Sequence, residues 1–178
     1  NHRIQKFTTD GDFVSGFGAY GTGEGQFNMP WGIKVANDGN VYVADWRNNR
    51  VQKLDQQGKF LMSFGEEDGE GKLNRPSGVA VDQEGLVYVV DWGTEVVKVY
   101  EATGKYIDTI IGDCDGYTKW AETRMASDPE GMSLQRAAVS DFTIERIFFQ
   151  PTNIEIDSNG RILIVDCGRH RIQIYQKK

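Results

Sequence analysis

The sequence predicts an all-β fold: a partial β-propeller of four-stranded blades, with about three blades present. Three observations lead there. A unit opening on proline recurs along the chain, each unit carries short strand patterns, and glycines punctuate the turns between them. Pro30 opens PWGIKVANDGNVYVADWRNNRVQKLDQQGKFLMSFG, Pro76 opens PSGVAVDQEGLVYVVDWGTEVVKVYEATGKYIDTIIG, and Pro151 opens PTNIEIDSNGRILIVDCGRHRIQIYQKK. Pro30 and Pro76 stand 46 residues apart, as do Asp45 and Asp91; 75 residues separate both Pro76 from Pro151 and Asp91 from Asp166. One insertion of 29 residues therefore parts the last two units.

Within a unit, Ile33-Lys34-Val35 and Val41-Tyr42-Val43 flank a turn containing Asp38-Gly39, a strong hairpin signal. Arg50 to Leu54 supplies a third strand and Lys59 to Phe64 a fourth, after Gln57-Gly58. Blades packed on both faces explain Val-Tyr-Val-Ala and Val-Tyr-Val-Val in place of strict alternation. The chain then divides, as one propeller segment over 1–178, into a half blade and loop (1–29), two blades (30–75 and 76–112), an inter-blade insertion (113–150) and an incomplete blade (151–178). Tyr117 to Met125 in the insertion has a helical stripe of Tyr117, Trp120, Ala121 and Met125. Asp128-Pro129-Glu130-Gly131 is expected to break it, with a second short helix over Ser133 to Val139.

Asn1-His2-Arg3-Ile4-Gln5, Asn48-Asn49-Arg50-Val51-Gln52 and Arg169-His170-Arg171-Ile172-Gln173, with the Gly-x-Val-Tyr-Val-x-Asp run before the second, resemble the signature of NHL repeats. Residues 13–65 are especially similar to NHL propellers of the tripartite-motif type. The resemblance covers residues 1–111 and 151–178. It implies a six-bladed ring that is usually a binding platform and less often an enzyme. The second full unit departs from the motif, with Thr94-Glu95-Val96 where Asn-x-Arg is expected. A chain beginning mid-repeat at Asn1 is expected to be part of a longer protein, its ring closed by remaining blades or by a second copy.

Composition narrows the function. At 178 residues and 20.0 kDa the chain can bury one sizeable core. Its longest apolar run, Leu86 to Val90, is far short of the roughly 20 residues of a membrane span. The net charge of −6, with 11 basic and 16 acidic residues over 1–111, disfavours nucleic-acid binding, which rests on neutralised phosphates. Two cysteines, Cys114 and Cys167, are too few for a disulfide framework or a four-thiolate zinc site. They are read as thiols on one face, with a disulfide as the alternative. Nothing in the composition assigns a compartment.

Propeller geometry puts the loop after each second strand on the same rim as the inter-blade loops. Trp31, Trp46, Trp92 and Trp120 all fall on that rim, with Arg47, Asn48 and Arg169 nearby, a pattern that resembles a binding hot spot. The competing reading makes Trp46 and Trp92 repeat residues that plug each blade. Asp45, Asp91 and Asp166 recur at the end of each second strand, which argues for acceptors of backbone N–H groups in the following turn rather than catalysis. Arg3, Arg50 and Arg171 are read likewise as blade-to-blade partners, and His2 and His170 occupy one repeat position. Asn153, Glu155 and Asp157, at alternate positions of the last unit, form the one non-repeating oxygen-ligand candidate and would suit Ca²⁺; otherwise no cofactor is expected. GAYGTGEG, from Gly18, lacks the lysine of a phosphate loop and reads as a turn. The insertion is read as a docking element on the tryptophan face, or else as a lid over its own blades. These residues support a non-enzymatic scaffold that binds a protein through its loop-bearing face. The alternatives are a metal-dependent lactonase- or lyase-like enzyme and an RNA-binding domain.

Overall fold

The computed structural model describes residues 1–112, 123, 125–137 and 146–177. Two strands, β1 (Ile4–Phe7) and β2 (Phe13–Phe17), form an antiparallel half blade. A short parallel bridge links β3 (Ala19–Tyr20) and β4 (Gln26–Phe27), which the sequence did not signal. The first blade is β5 (Pro30–Val35), β6 (Val41–Asp45), β7 (Arg50–Leu54) and β8 (Phe60–Phe64), paired in chain order. The second is β9 (Pro76–Val81), β10 (Val87–Asp91), β11 (Val96–Tyr100) and β12 (Tyr106–Ile110). The third has β13 (Pro151–Ile156), β14 (Arg161–Asp166) and β15 (Arg171–Gln176). The expected strands are thus all present. Helix α1 spans Pro129–Ala137. It begins inside the segment expected to be a breaker, because the Asp128 carboxylate accepts the Gly131 N–H at 3.0 Å and Pro129 fits the first helical position. Most of Tyr117 to Met125 lies outside the described residues.

Blades pack face to face, which is why their middle strands are apolar on both sides. Tyr42, Ala44, Val51 and Phe64 of the first blade meet Val79, Val87 and Val89 of the second. Tyr88, Val90, Val97 and Val99 of the second meet Ile154, Ile162 and Ile164 of the third. The same packing code continues onto open faces. Ile172 (61% exposed) and Ile174 (55%) occupy the third-blade positions that Val97 and Val99 hold, buried, in the second. Ile33 and Val35 are exposed on the opposite flank of the first blade, where Val79 is covered in the second.

Phe27, Leu73 and Phe148, each three residues before a proline, are fully buried and plug the blade junctions. Each fits because Gly18, Gly65 or Gly112 lies against it; a Cβ at Gly18 would stand 2.6 Å from the Phe27 ring. The same glycines adopt φ of +97°, +93° and +83°, a region costly to other residues.

One polar network recurs at every junction. Asp45, Asp91 and Asp166 are fully buried. Their carboxylates accept the backbone N–H of Asn28 (2.6 Å), Asn74 (2.6 Å) and Phe149 (2.8 Å), in the inter-blade loop 17 residues earlier and not in the turn after the strand. A cation closes each site. Arg50 pairs with Asp45 at 3.0 Å and donates to the carbonyls of Gly23 and Gln26. Arg171 pairs with Asp166 at 2.7 Å and donates to those of Arg146 and Ile147. These arginines therefore join each blade to its entry loop. The second blade has Val96 at that position and uses Lys98 instead, two residues on, where the others have Gln52 and Gln173. Lys98 is buried, lies 4.0 Å from Asp91 and donates to the carbonyls of Glu70 and Lys72, both at 2.6 Å. The missing motif arginine is thus compensated by a shifted lysine.

Burial pushes the Asp91 carboxyl above the usual range, while the Thr94 hydroxyl, the Asn74 N–H and Lys98 pull it back. Lys98→Met leaves that buried carboxylate without its cation and the Glu70 and Lys72 carbonyls without their donor, and is expected to cost about 3–5 kcal/mol in urea denaturation at neutral pH. A proton on Asp91 neutralises the carboxylate left without its cation, so the penalty shrinks as pH falls below neutral. Val96→Arg combined with Lys98→Gln recreates the arrangement of the first blade and recovers part of the loss.

Candidate functional site

The turn after each second strand sets the rim. Trp46–Asn48 and Cys167–Arg169 form single 3₁₀ turns, each ending on a residue in the left-handed region. Those end residues, with their counterparts, are His2, Asn49, Glu95 and His170, at φ between +54° and +60°. At three junctions the side chain reaches the next inter-blade loop. His2 Nδ1 accepts the Met29 N–H (3.1 Å), Asn49 Oδ1 that of Arg75 (2.9 Å), and Glu95 Oε1 that of Gln150 (3.3 Å). Met29, Arg75 and Gln150 each precede a blade-opening proline and themselves have positive φ. These clasps fix the direction in which Arg75 leaves the backbone.

The outcome is a row of aromatic rings tilted against one another. Trp31, at the start of β5 and 58% exposed, lies 5.6 Å from Trp46, which lies 6.1 Å from Trp92, ring centre to ring centre. The Arg75 guanidinium sits over both Trp46 (5.2 Å) and Trp92 (5.9 Å), and that of Arg47 is 6.0 Å from Trp46. Such guanidinium–indole contacts each contribute about 0.5–1 kcal/mol at exposed sites. Beyond Trp92 the rim opens into a groove of about 390 Å³, lined by Asn74, Arg75, Trp92, Thr94, Glu95 and Gln150. On its third-blade side Arg169 lies over Phe149 at 5.2 Å.

The structure therefore brings Trp31, Trp46, Trp92 and Arg47 together and puts Arg169 in the matching turn of the third blade. Asn48 serves the fold: its amide donates to the Gly21 carbonyl (2.9 Å) and to Asp45 (2.8 Å). Trp120 and Cys114 lie outside the described residues, and Cys167 is exposed in the turn position that Trp46 and Trp92 hold. Arg75, Glu95 and Asn49 were not singled out from the sequence. The signal lay in their position, directly before a proline or directly after the tryptophan turn.

The oxygen-ligand candidates are each engaged locally. Asn153 Oδ1 accepts the Ile154 N–H at 2.9 Å and packs on Gly78. Glu155 pairs with Lys34 across the first and third inner strands, over the small Ala80 between them. Asp157 accepts the N–H groups of Asn159 and Arg161 and pairs with the Arg161 side chain at 2.7 Å, which holds its carboxyl below the usual range. Among the described residues no group of three or more His, Cys, Asp or Glu is placed to hold a metal ion.

Repeated four-stranded antiparallel blades, packed face to face around close inner strands, define a β-propeller segment with its inter-blade loops and tryptophan turns on one rim. The chain carries NHL repeats, matched at residues 27–54, 73–100 and 148–175. Among curated relatives it is 44% identical over 50 residues to Protein brain tumor of Drosophila melanogaster, covering 28% of this chain and 5% of that protein. It is 51% identical over 45 residues to Protein lin-41 of Caenorhabditis elegans, covering 25% and 4%. It is 45% identical over 47 residues to the E3 ubiquitin-protein ligase TRIM71 of Rattus norvegicus, covering 26% and 6%. The matched segment is thus a small part of these relatives. A solved structure of virginiamycin B lyase from Staphylococcus aureus superposes with a TM-score of 0.56 over 99% of this chain and 49% of that one. At 11% identity that likeness is one of fold alone.

The clasp gives a direct test. Asn49→Gly removes the acceptor but suits the left-handed backbone, whereas Asn49→Ala removes the acceptor and also strains the backbone. Thermal or urea unfolding is expected to show the alanine variant less stable than the glycine variant by about 1 kcal/mol.

Proposed function

We propose that this chain is a non-enzymatic recognition module that binds a protein partner through the rim of Trp31, Trp46, Arg75 and Trp92. The observation that carries the reading is the row of tilted indoles, exposed at Trp31 and half-buried at Trp46 and Trp92, interleaved with arginine. Tryptophan and arginine dominate binding hot spots because they offer large, stiff contact area at low entropic cost. A purely structural role for Trp31 is disfavoured by its exposure.

RNA is the competing ligand, because bases also stack on indoles and guanidinium groups. Arg47, Arg75 and Arg169 give the rim local positive charge, but the surrounding chain is acidic. The enzyme reading has no support from Asn153, Glu155 and Asp157, whose acceptors already serve the backbone and neighbouring cations.

A displayed random-peptide library panned on the full chain tests the proposal. Selected peptides are expected to bind Trp31→Ala and Arg75→Ala variants at least about 30-fold more weakly, the loss typical of a hot-spot residue. Selection of no peptide, or of peptides indifferent to both variants, contradicts it. Salt-dependent capture of random oligoribonucleotides in their place assigns the rim to RNA.

A further inference from the structure

We infer that the groove between the second and third blades is a subsite for a basic side chain of the protein partner, held by the Glu95 carboxylate against Trp92. The inference rests on the rim being a protein-binding surface and names the chemistry that one part of it reads.

Glu95 is the anomalous member of a repeated set. At the clasp position the other junctions use a neutral amide or an imidazole, Asn49 and His2, and Asn49 makes the bond at 2.9 Å. Glu95 makes it at 3.3 Å with one oxygen. A carboxylate is therefore not required by the clasp, and it brings a formal charge to the groove wall. Among the described residues no lysine or arginine pairs with it. The basic residue on the groove wall, Arg75, lies over Trp46 and Trp92 instead. Glu95 is half-buried.

The rest of the lining suits a long cationic side chain. Trp92 offers an indole that already takes one guanidinium, showing that its surface accepts such a group. Asn74, Thr94 and Gln150 add neutral acceptors around the groove. The groove lies in the blade that lacks the motif arginine. With the cation moved to Lys98 beneath, Thr94 and Glu95 stand at the rim where the first blade has Asn48 and Asn49. The departure from the repeat thus coincides with the one groove residue whose charge has no structural employment.

The test uses peptides selected on the full chain and compares wild type with Glu95→Gln and with Glu95→Asn, the residue found at the equivalent position 49. Both variants keep a clasp acceptor, and unchanged unfolding midpoints confirm that the groove is intact. Selected peptides are expected to share an arginine or lysine and to bind Glu95→Gln about 10- to 100-fold more weakly, as for lost hydrogen bonds between charged groups. Replacing the peptide arginine with citrulline should produce the same loss on wild type and none on Glu95→Gln. Peptides that need Trp31 yet lack a basic residue, or that bind Glu95→Gln unchanged, overturn this inference and leave the rim reading standing. Peptides independent of Trp31 and Trp92, or no selection at all, overturn both.

Discussion

Three buried carboxylates, those of Asp45, Asp91 and Asp166, hold the loops on which everything else in this propeller segment rests. Each sits at the end of a second strand, accepts a backbone N–H from the preceding inter-blade loop, and has a cation beside it that ties down loop carbonyls. An isolated buried carboxylate would be strongly destabilising, so the aspartate, the cation and the loop form one unit. Apolar packing between blades supplies the bulk of the cohesion, but it is non-directional. The polar unit fixes where the chain leaves one blade and enters the next. That places Phe27, Leu73 and Phe148 in their sockets and puts the pre-proline residues in reach of their clasps.

The rim is a consequence of that constraint. The tryptophan turns begin directly after the buried aspartates, so Trp46 and Trp92 are presented by the same residues that fix the loops. Arg75 reaches both indoles because Asn49 holds its amide and its backbone is left-handed. The second blade shows how a repeat can depart from its pattern without losing its fold. Val96 abandons the motif arginine, Lys98 restores the buried charge from two residues further on, and the rim above gains Thr94 and Glu95.

Much of this was legible in the sequence because the blade is a periodic object. The spacing of Pro30, Pro76 and Pro151 located the units, and Asp38-Gly39 with its counterparts located the hairpins. The recurrence of Asp45, Asp91 and Asp166 correctly marked them as structural, though their partners proved to be loops 17 residues upstream, a contact across elements that no local pattern encodes. Trp31, Trp46 and Trp92 were placed on one rim by strand direction alone. Arg75 and Glu95 were invisible for the opposite reason: their role depends on side-chain direction at positive φ, and the residues at equivalent positions are chemically unlike them. The start of α1 was misread because Asp-Pro-Glu-Gly contains both a breaker and an N-terminal cap, and only the Asp128 to Gly131 bond decides between them.

Native-state hydrogen exchange of the full chain, read at the amides of Asn28, Asn74 and Phe149, tests most directly whether buried carboxylates hold the rim loops. If they do, these three loop amides exchange as slowly as those of β6, β10 and β14 and open with them in one cooperative step. Exchange at the rate of unprotected turns, while the strands stay protected, would contradict the account and leave the tryptophan rim without its foundation.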